Sequence, residues 1–140
     1  MKSYNLAIVG ASGAVGHEFL KVLAERDFPI AELRLLATER SAGKRIDFKG
    51  RTYTVEKTTA ESFRGMDIAL FAGGAASLEF GPAAVAAGAV VIDNSSNYRY
   101  RDDVPLVVPE VNPEDVRWHQ GIIANPNCST IQLVVALKPL

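Results

Sequence analysis

Short apolar runs recur along the chain, most of them closed by glycine or small residues, and the apolar positions between some of them fall at helical spacing. Leu6-Ala7-Ile8-Val9 is apolar at every position, the pattern of a strand buried on both faces. Beyond the glycines that follow it, Val15, Phe19, Val22 and Leu23 recur at i, i+4, i+7 and i+8. That spacing predicts a helix with one apolar stripe, which Pro29 ends. Leu33 to Ala37 reads as a second strand. Ile46 to Phe48 and Thr52 to Val55 flank Lys49-Gly50-Arg51, which predicts a hairpin. Thr58 and Glu61 stand at capping-box spacing and open a short helix. Ile68 to Phe71 is a further buried run, ending in Ala72-Gly73-Gly74. Alanine-rich sequence follows, with Gly88 as the C′ residue ahead of Val90-Val91-Ile92. The last strand is Ile122 to Ala124, and the last helix starts near Ser129 and stops by Pro139.

This alternation predicts an α/β domain: a mostly parallel, doubly wound sheet with right-handed crossovers and cover on both faces. No linker, repeat or low-complexity segment divides residues 1–140, so one domain is expected. Ligands of such sheets bind beyond the carboxyl ends of the strands, which directs attention to the loops that follow them.

Composition narrows the function classes. Of 140 residues, 48% are hydrophobic and 22% charged, as in ordinary globular domains. A net charge of −1 gives no footprint for nucleic acid or an anionic membrane. A single cysteine, Cys128, excludes a disulfide framework, and no Cys/His group has metal-ligand spacing. The apolar start "MKSYNLAIVG" is too short for a signal peptide or membrane span. A reducing, cytoplasmic setting is the expectation.

Four of the strand-following loops carry candidate chemistry, one of them the loop that bears Arg99. "GASGAVG", Gly10 to Gly16, lies between a strand and a helix, where glycines let backbone approach a pyrophosphate and the helix N-terminus holds its charge. Its spacing is G-x-x-G-x-x-G rather than G-x-G-x-x-G, and a turn serving only tight packing is the competing reading. With a strand before it and a helix after it, the loop makes the expected fold Rossmann-like. "ATERSAGK" follows the second strand about 20 residues on, where NAD-binding domains carry an acidic residue for the ribose 2′-hydroxyl. Thr38 is neutral, and Arg40 and Ser41 suit a 2′-phosphate, so NADP is expected. Glu39, one position away, opposes that reading, and Arg40 also reads as a solvated loop charge. "NPNCST" sets Cys128 after the last strand and at the tip of the last helix, where backbone N–H groups stabilise a thiolate and can hold an oxyanion. Alone, such a cysteine is more often a small buried hydrophobe. Together with the glycine loop it suggests an oxidoreductase acting on an aldehyde or acyl phosphate through a thioester.

These motifs occur in the order of a known family. The whole chain resembles the N-terminal part of aspartate-β-semialdehyde dehydrogenase. "GASGAVG" is similar to its phosphate loop, "ERSAGK" to its 2′-phosphate segment, "DNSSNYRYRDDVPLVVPEVN" to the segment bearing its phosphate arginine, and "NPNCST" to its nucleophile motif. The resemblance implies reversible, NADP-dependent reduction of aspartyl phosphate to aspartate semialdehyde, with release of inorganic phosphate, in amino-acid biosynthesis. It implies Cys128 as nucleophile, with Arg99 and Asn127 on the substrate phosphate. Gly10, Ser12, Gly13, Ala14 and Val15 would hold the adenylate end of the cofactor, with Thr38, Arg40 and Ser41 around the 2′-phosphate. Ala72, Gly73, Gly74, Ser95 and Ser96 would lie near the nicotinamide. It further implies a homodimer or homotetramer and a following substrate domain, not present in this chain, that supplies the base histidine.

Arg99 also has a reading of its own. It follows the strand at 90–92, on the edge expected to carry Cys128, and a guanidinium binds phosphate with two parallel hydrogen bonds. A charged surface loop, Arg99 with Arg101, Asp102 and Asp103, is the alternative. The two histidines fit a general base poorly: His119 precedes the last strand while Cys128 follows it, and His17 sits in the first turn after the glycine loop. Three rival readings remain. N-acetyl-γ-glutamyl-phosphate reductase has a similar motif reading Asn-Pro-Gly-Cys-Tyr, from which Asn127 and Ser129 depart. Glyceraldehyde-3-phosphate dehydrogenase is further off. A non-catalytic NADP-binding module is the reading from a different class.

Overall fold

A computed structural model describes all 140 residues. In chain order its elements are β1 (Tyr4–Val9), α1 (Ala14–Glu25), β2 (Ile30–Ala37), β3 (Arg45–Phe48), β4 (Arg51–Thr54), β5 (Glu56–Lys57), β6 (Ile68–Phe71), α2 (Gly74–Ala86), β7 (Val90–Asp93), β8 (Ile122–Ala124) and α3 (Cys128–Leu137). Six strands form one sheet in the order β5-β2-β1-β6-β7-β8, every pair parallel. β3 and β4 form a separate antiparallel hairpin. This is the Rossmann-like architecture expected from the sequence.

The period-2 geometry of a strand explains how an unbroken apolar run is satisfied. Leu6 and Ile8 of β1 enter one core with Leu33 and Leu35 of β2 and Leu20 of α1. Ala7 and Val9 face the opposite core, with Leu36, Phe63, Phe71, Ala84 and Val91. Each central strand therefore feeds both layers, and a polar residue on either face would be buried.

The structure moves several boundaries. In α1 the buried residues are Gly16 and Leu20, while Val15 and Val22 of the expected stripe are 38% and 44% exposed. The cause is the loop beneath the helix: a Cβ on Gly16 would lie 2.4 Å from the Gly10 carbonyl oxygen. The helix presses on that loop along its Gly16–Leu20 line and turns the two valines outward. Nor does Pro29 end α1. Asp27 takes φ +47, Phe28 N–H donates to the Leu23 carbonyl and Asp27 N–H to that of Ala24, a Schellman turn. Gly88 closes α2 in the same way, as expected, with φ +96. The capping box belongs to Thr59 and Ser62, not Thr58 and Glu61, and opens a single 3₁₀ turn at Ala60–Phe63. Thr58 is instead buried, its hydroxyl donating to the Ala37 carbonyl at 3.0 Å. The hairpin turn is Lys49-Gly50, both with positive φ, as two-residue hairpins require. β2 begins at Ile30, earlier than its apolar core suggests, and the last helix begins at Cys128, one residue before Ser129.

Candidate active site

The strand order reverses between β1 and β6, since the chain leaves β1 for β2 on one side and reaches β6 on the other. A crevice at such a switch point is where open parallel sheets take ligands. Here its two walls touch. Gly10 has φ +86, and a Cβ there would stand 3.0 Å from the Cβ of Ala72. The N–H groups of Gly10 and Ala11 both donate to the Leu36 carbonyl, at 2.8 and 3.1 Å, which fixes the loop before α1 begins. Gly13 is the N-cap and no side chain caps the helix, so the first-turn N–H groups around Ala14 and Val15 remain for a ligand. Ser12 is half-buried in the loop. His17 is exposed and tied to the loop, its Nδ1 2.7 Å from the Gly13 carbonyl.

On the β2 side of the crevice lies a cleft of about 280 Å³, lined by Val9, Gly10, Thr38, Glu39, Ala76 and Phe80 among others. Thr38 caps a 3₁₀ turn at Glu39–Ser41, and Ser41 N–H donates to the Thr38 carbonyl at 2.9 Å. Thr38 and Arg40 are exposed and Ser41 half-buried.

Past β6 and β7, the loops are cross-tied by side chains. Asp93 closes β7 with no exposed surface, and its Oδ2 accepts from Ser95 at 2.6 Å. Ser95 shares a hydrogen bond with Ser77 of α2 at 3.0 Å. The Asn97 amide donates to Ser77 and to the Gly74 carbonyl, joining the loop after β7 to the start of α2. Tyr98 donates to the Ser77 carbonyl at 3.0 Å, and Gly81 leaves it room: a Cβ there would lie 2.9 Å from the phenol oxygen. Burial, and then the Asp93 carboxylate, push the Tyr98 phenol above its ordinary 10.0. Ser96 is exposed beside this network.

Arg99 ties in the next strand. Its Nε donates to the Asn125 carbonyl at 2.8 Å and its Nη2 to that of Asn94 at 3.4 Å, bridging the loops after β7 and β8. Arg101 does something different. It pairs at the surface with Asp103 at 2.7 Å, so the two arginines of the segment part company and Arg99 is no free loop charge. Asn127 caps α3, its Oδ1 accepting from Ser129 N–H at 3.0 Å, and Cys128 opens the helix exposed. Within these 140 residues the cysteine is not part of the buried core. His119 lies before β8 and accepts from Gly121 N–H at 2.9 Å, at the edge away from Cys128.

The candidate residues thus fall on one edge of the sheet. Sequence reasoning missed Asp93, Ser77 and Asn97, which hold the loops together. The only signal was an acidic residue closing an apolar run, at "VVID". No group of three or more His, Cys, Asp or Glu residues is arranged to hold a metal ion. No helix is long and apolar enough to cross a membrane.

A parallel sheet with an uncapped glycine loop at its switch point and a second glycine turn against it defines a nucleotide-binding domain. Residues 5–119 match the family described as semialdehyde dehydrogenase, NAD binding domain, and the chain belongs to that family. It is 63% identical over 141 residues to the aspartate-semialdehyde dehydrogenase of Aquifex aeolicus, across 98% of this chain and 42% of that protein. Aspartate semialdehyde dehydrogenase II of Vibrio cholerae, solved in complex with ASA, superposes with a TM-score of 0.95 at 53% identity, covering 99% of this chain and 46% of that one. The Candida albicans enzyme, solved with NADP, superposes at 0.76 with 27% identity, over 99% of this chain and 46% of that one. The chain therefore spans less than half the length of these relatives.

Proposed function

We propose that this chain is the cofactor-binding half of an NADP-dependent aspartate-semialdehyde dehydrogenase, cytoplasmic and homo-oligomeric. The observation that carries the reading is convergence on one edge: Cys128 at the start of α3, Arg99 bound to the loop leading to it, and the glycine loop across the switch point. The residues fit the cofactor. The positive φ of Gly10 and the close contact at Gly16 bring uncapped N–H groups to the crevice, where a pyrophosphate would sit, and the cleft beside β2 accommodates a nucleoside. Gly13, Ala14 and Val15 would hold the phosphates, Thr38, Arg40 and Ser41 the 2′-phosphate, and Ala72 to Gly74 with Ser95 and Ser96 the nicotinamide end. When bound, NADP supplies hydride acceptance and donation.

The chain's own residues do the rest. The sulfur of Cys128 adds to the aldehyde carbon of aspartate semialdehyde, and the first-turn N–H groups of α3 other than that of Ser129, which Asn127 holds, would face the oxygen that gains charge. Once oxidised, the acyl group is held on the sulfur as a thioester. Phosphate then attacks the thioester carbon, the C–S bond breaks, and acyl phosphate leaves while the thiol returns. Arg99 would orient that phosphate. With Nε and Nη2 committed to the Asn125 and Asn94 carbonyls, its Nη1 is the arm left for a ligand, and Asn127 has its amide N–H groups free because only its oxygen caps the helix.

The test is phosphate- and NADP-dependent oxidation of aspartate semialdehyde by the full-length protein of the source. Activity on N-acetylglutamate semialdehyde instead would overturn the substrate assignment. Arg99→Lys should raise the KM for phosphate about tenfold or more, because an ammonium cannot keep the loop carbonyls and grip phosphate together. An unchanged phosphate KM would remove Arg99 from this role.

A further inference from the structure

The cleft beside β2 has an uneven balance of charge. Glu39 and Glu79 line it with a single cation, Lys57. This lysine is not loosely placed. Its strand, β5, is two residues long and pairs with Leu36 and Ala37 of β2. The next residue, buried Thr58, donates both its N–H and its hydroxyl to the Ala37 carbonyl, at 2.8 and 3.0 Å. These two hydrogen bonds, with the β5–β2 pairing, fix the Lys57 backbone beside Ala37, at the start of the Thr38–Ser41 turn. From there its ammonium stands 3.7 Å from the Glu39 carboxylate.

Both side chains are largely exposed, so the pair adds little to fold stability. Its consequence is for a ligand. A phosphomonoester carries roughly −1.5 to −2 charge near neutrality, and an unmatched carboxylate in the same turn repels it. An acidic side chain at the end of the second strand of a Rossmann-like domain, the position of Thr38 and next to Glu39, instead accepts a hydrogen bond from the ribose 2′-hydroxyl and favours NAD. Lys57 is the one cation lining the cleft and the one that pairs with Glu39. We infer that Lys57 is a cofactor-specificity residue: by neutralising Glu39 it turns a site with an NAD-type acidic residue into one that admits the 2′-phosphate of NADP. The inference rests on the NADP reading above and assigns the deciding charge.

Titration calorimetry of NADP and NAD against the full-length protein of the source tests it. Lys57→Met should weaken NADP binding about tenfold and change NAD binding by less than about twofold, since only NADP carries the repelled phosphate. Adding Glu39→Gln to that variant should return NADP affinity to within about threefold of the parent, because the carboxylate to be neutralised is gone. Equal losses for both cofactors, no loss for NADP, or no rescue by Glu39→Gln would each overturn the inference. Those outcomes leave the NADP reading standing, provided the parent protein prefers NADP. A parent that binds NAD more tightly would overturn both.

Discussion

Cys128→Ser is expected to lower semialdehyde oxidation at least about a thousandfold, while NADP affinity stays within about twofold. A serine hydroxyl is almost wholly un-ionised near neutrality, a far weaker nucleophile than a thiolate, and its ester passes the acyl group to phosphate less readily than a thioester does. The fold should not notice the change. Cys128 is exposed and makes no side-chain hydrogen bond, and Asn127 caps the helix through Ser129 N–H whichever residue stands between them. A stability change beyond about 0.5 kcal/mol would therefore be unexpected for this surface substitution. Steady-state assays and cofactor titration on the same preparation separate the two effects. Turnover retained within tenfold would mean that the acyl group is carried elsewhere, and the thioester route would fall with it.

Gly16→Ala is expected to damage both the fold and the cofactor loop. The added Cβ would lie 2.4 Å from the Gly10 oxygen and 2.7 Å from Ala11 Cα, both backbone atoms of a loop fixed by two hydrogen bonds to Leu36. Neither side can yield without shifting the helix or the loop, and overpacking of this kind costs about 3 kcal/mol, or roughly 10 °C in Tm. Cofactor affinity should fall as well, because the same displacement misaims the first turn of α1. Gly13→Ala is the control: its Cβ would meet Gly10 oxygen at 3.5 Å, an ordinary contact, at a non-helical N-cap position with φ −87. Thermal denaturation of the two variants decides the matter. Equal changes in Tm would show that close approach is not what Gly16 provides.

The contrast between these glycines marks how far the sequence could be read. "GASGAVG" announced a tight strand-to-helix turn, but spacing alone could not say that the third glycine, rather than Val15, would face the loop. That follows from contact with residues already folded back over Leu36. The same limit accounts for Thr58, whose capping spacing is local while its hydrogen bond to Ala37 spans 21 residues. It also accounts for Glu39. In the sequence it opposed an NADP reading, and its neighbour across the edge of the sheet, Lys57, lies 18 residues on.

What the chain determined by itself was the layered fold and the order of its chemical loops. Apolar periodicity near 2 or 3.6 is a local property, and the glycine, arginine and cysteine motifs lie wholly within single strand-following loops. Tertiary structure alone decided which of those groups meet. Ser95 meets Ser77, Asn97 reaches Gly74, and Arg99 bonds the carbonyl of Asn125 because β6, β7 and β8 are neighbours in a parallel sheet. Such contacts depend on strand order and on the side chains left unpaired at the sheet's edge, and neither is written in any window of sequence short enough to read on its own.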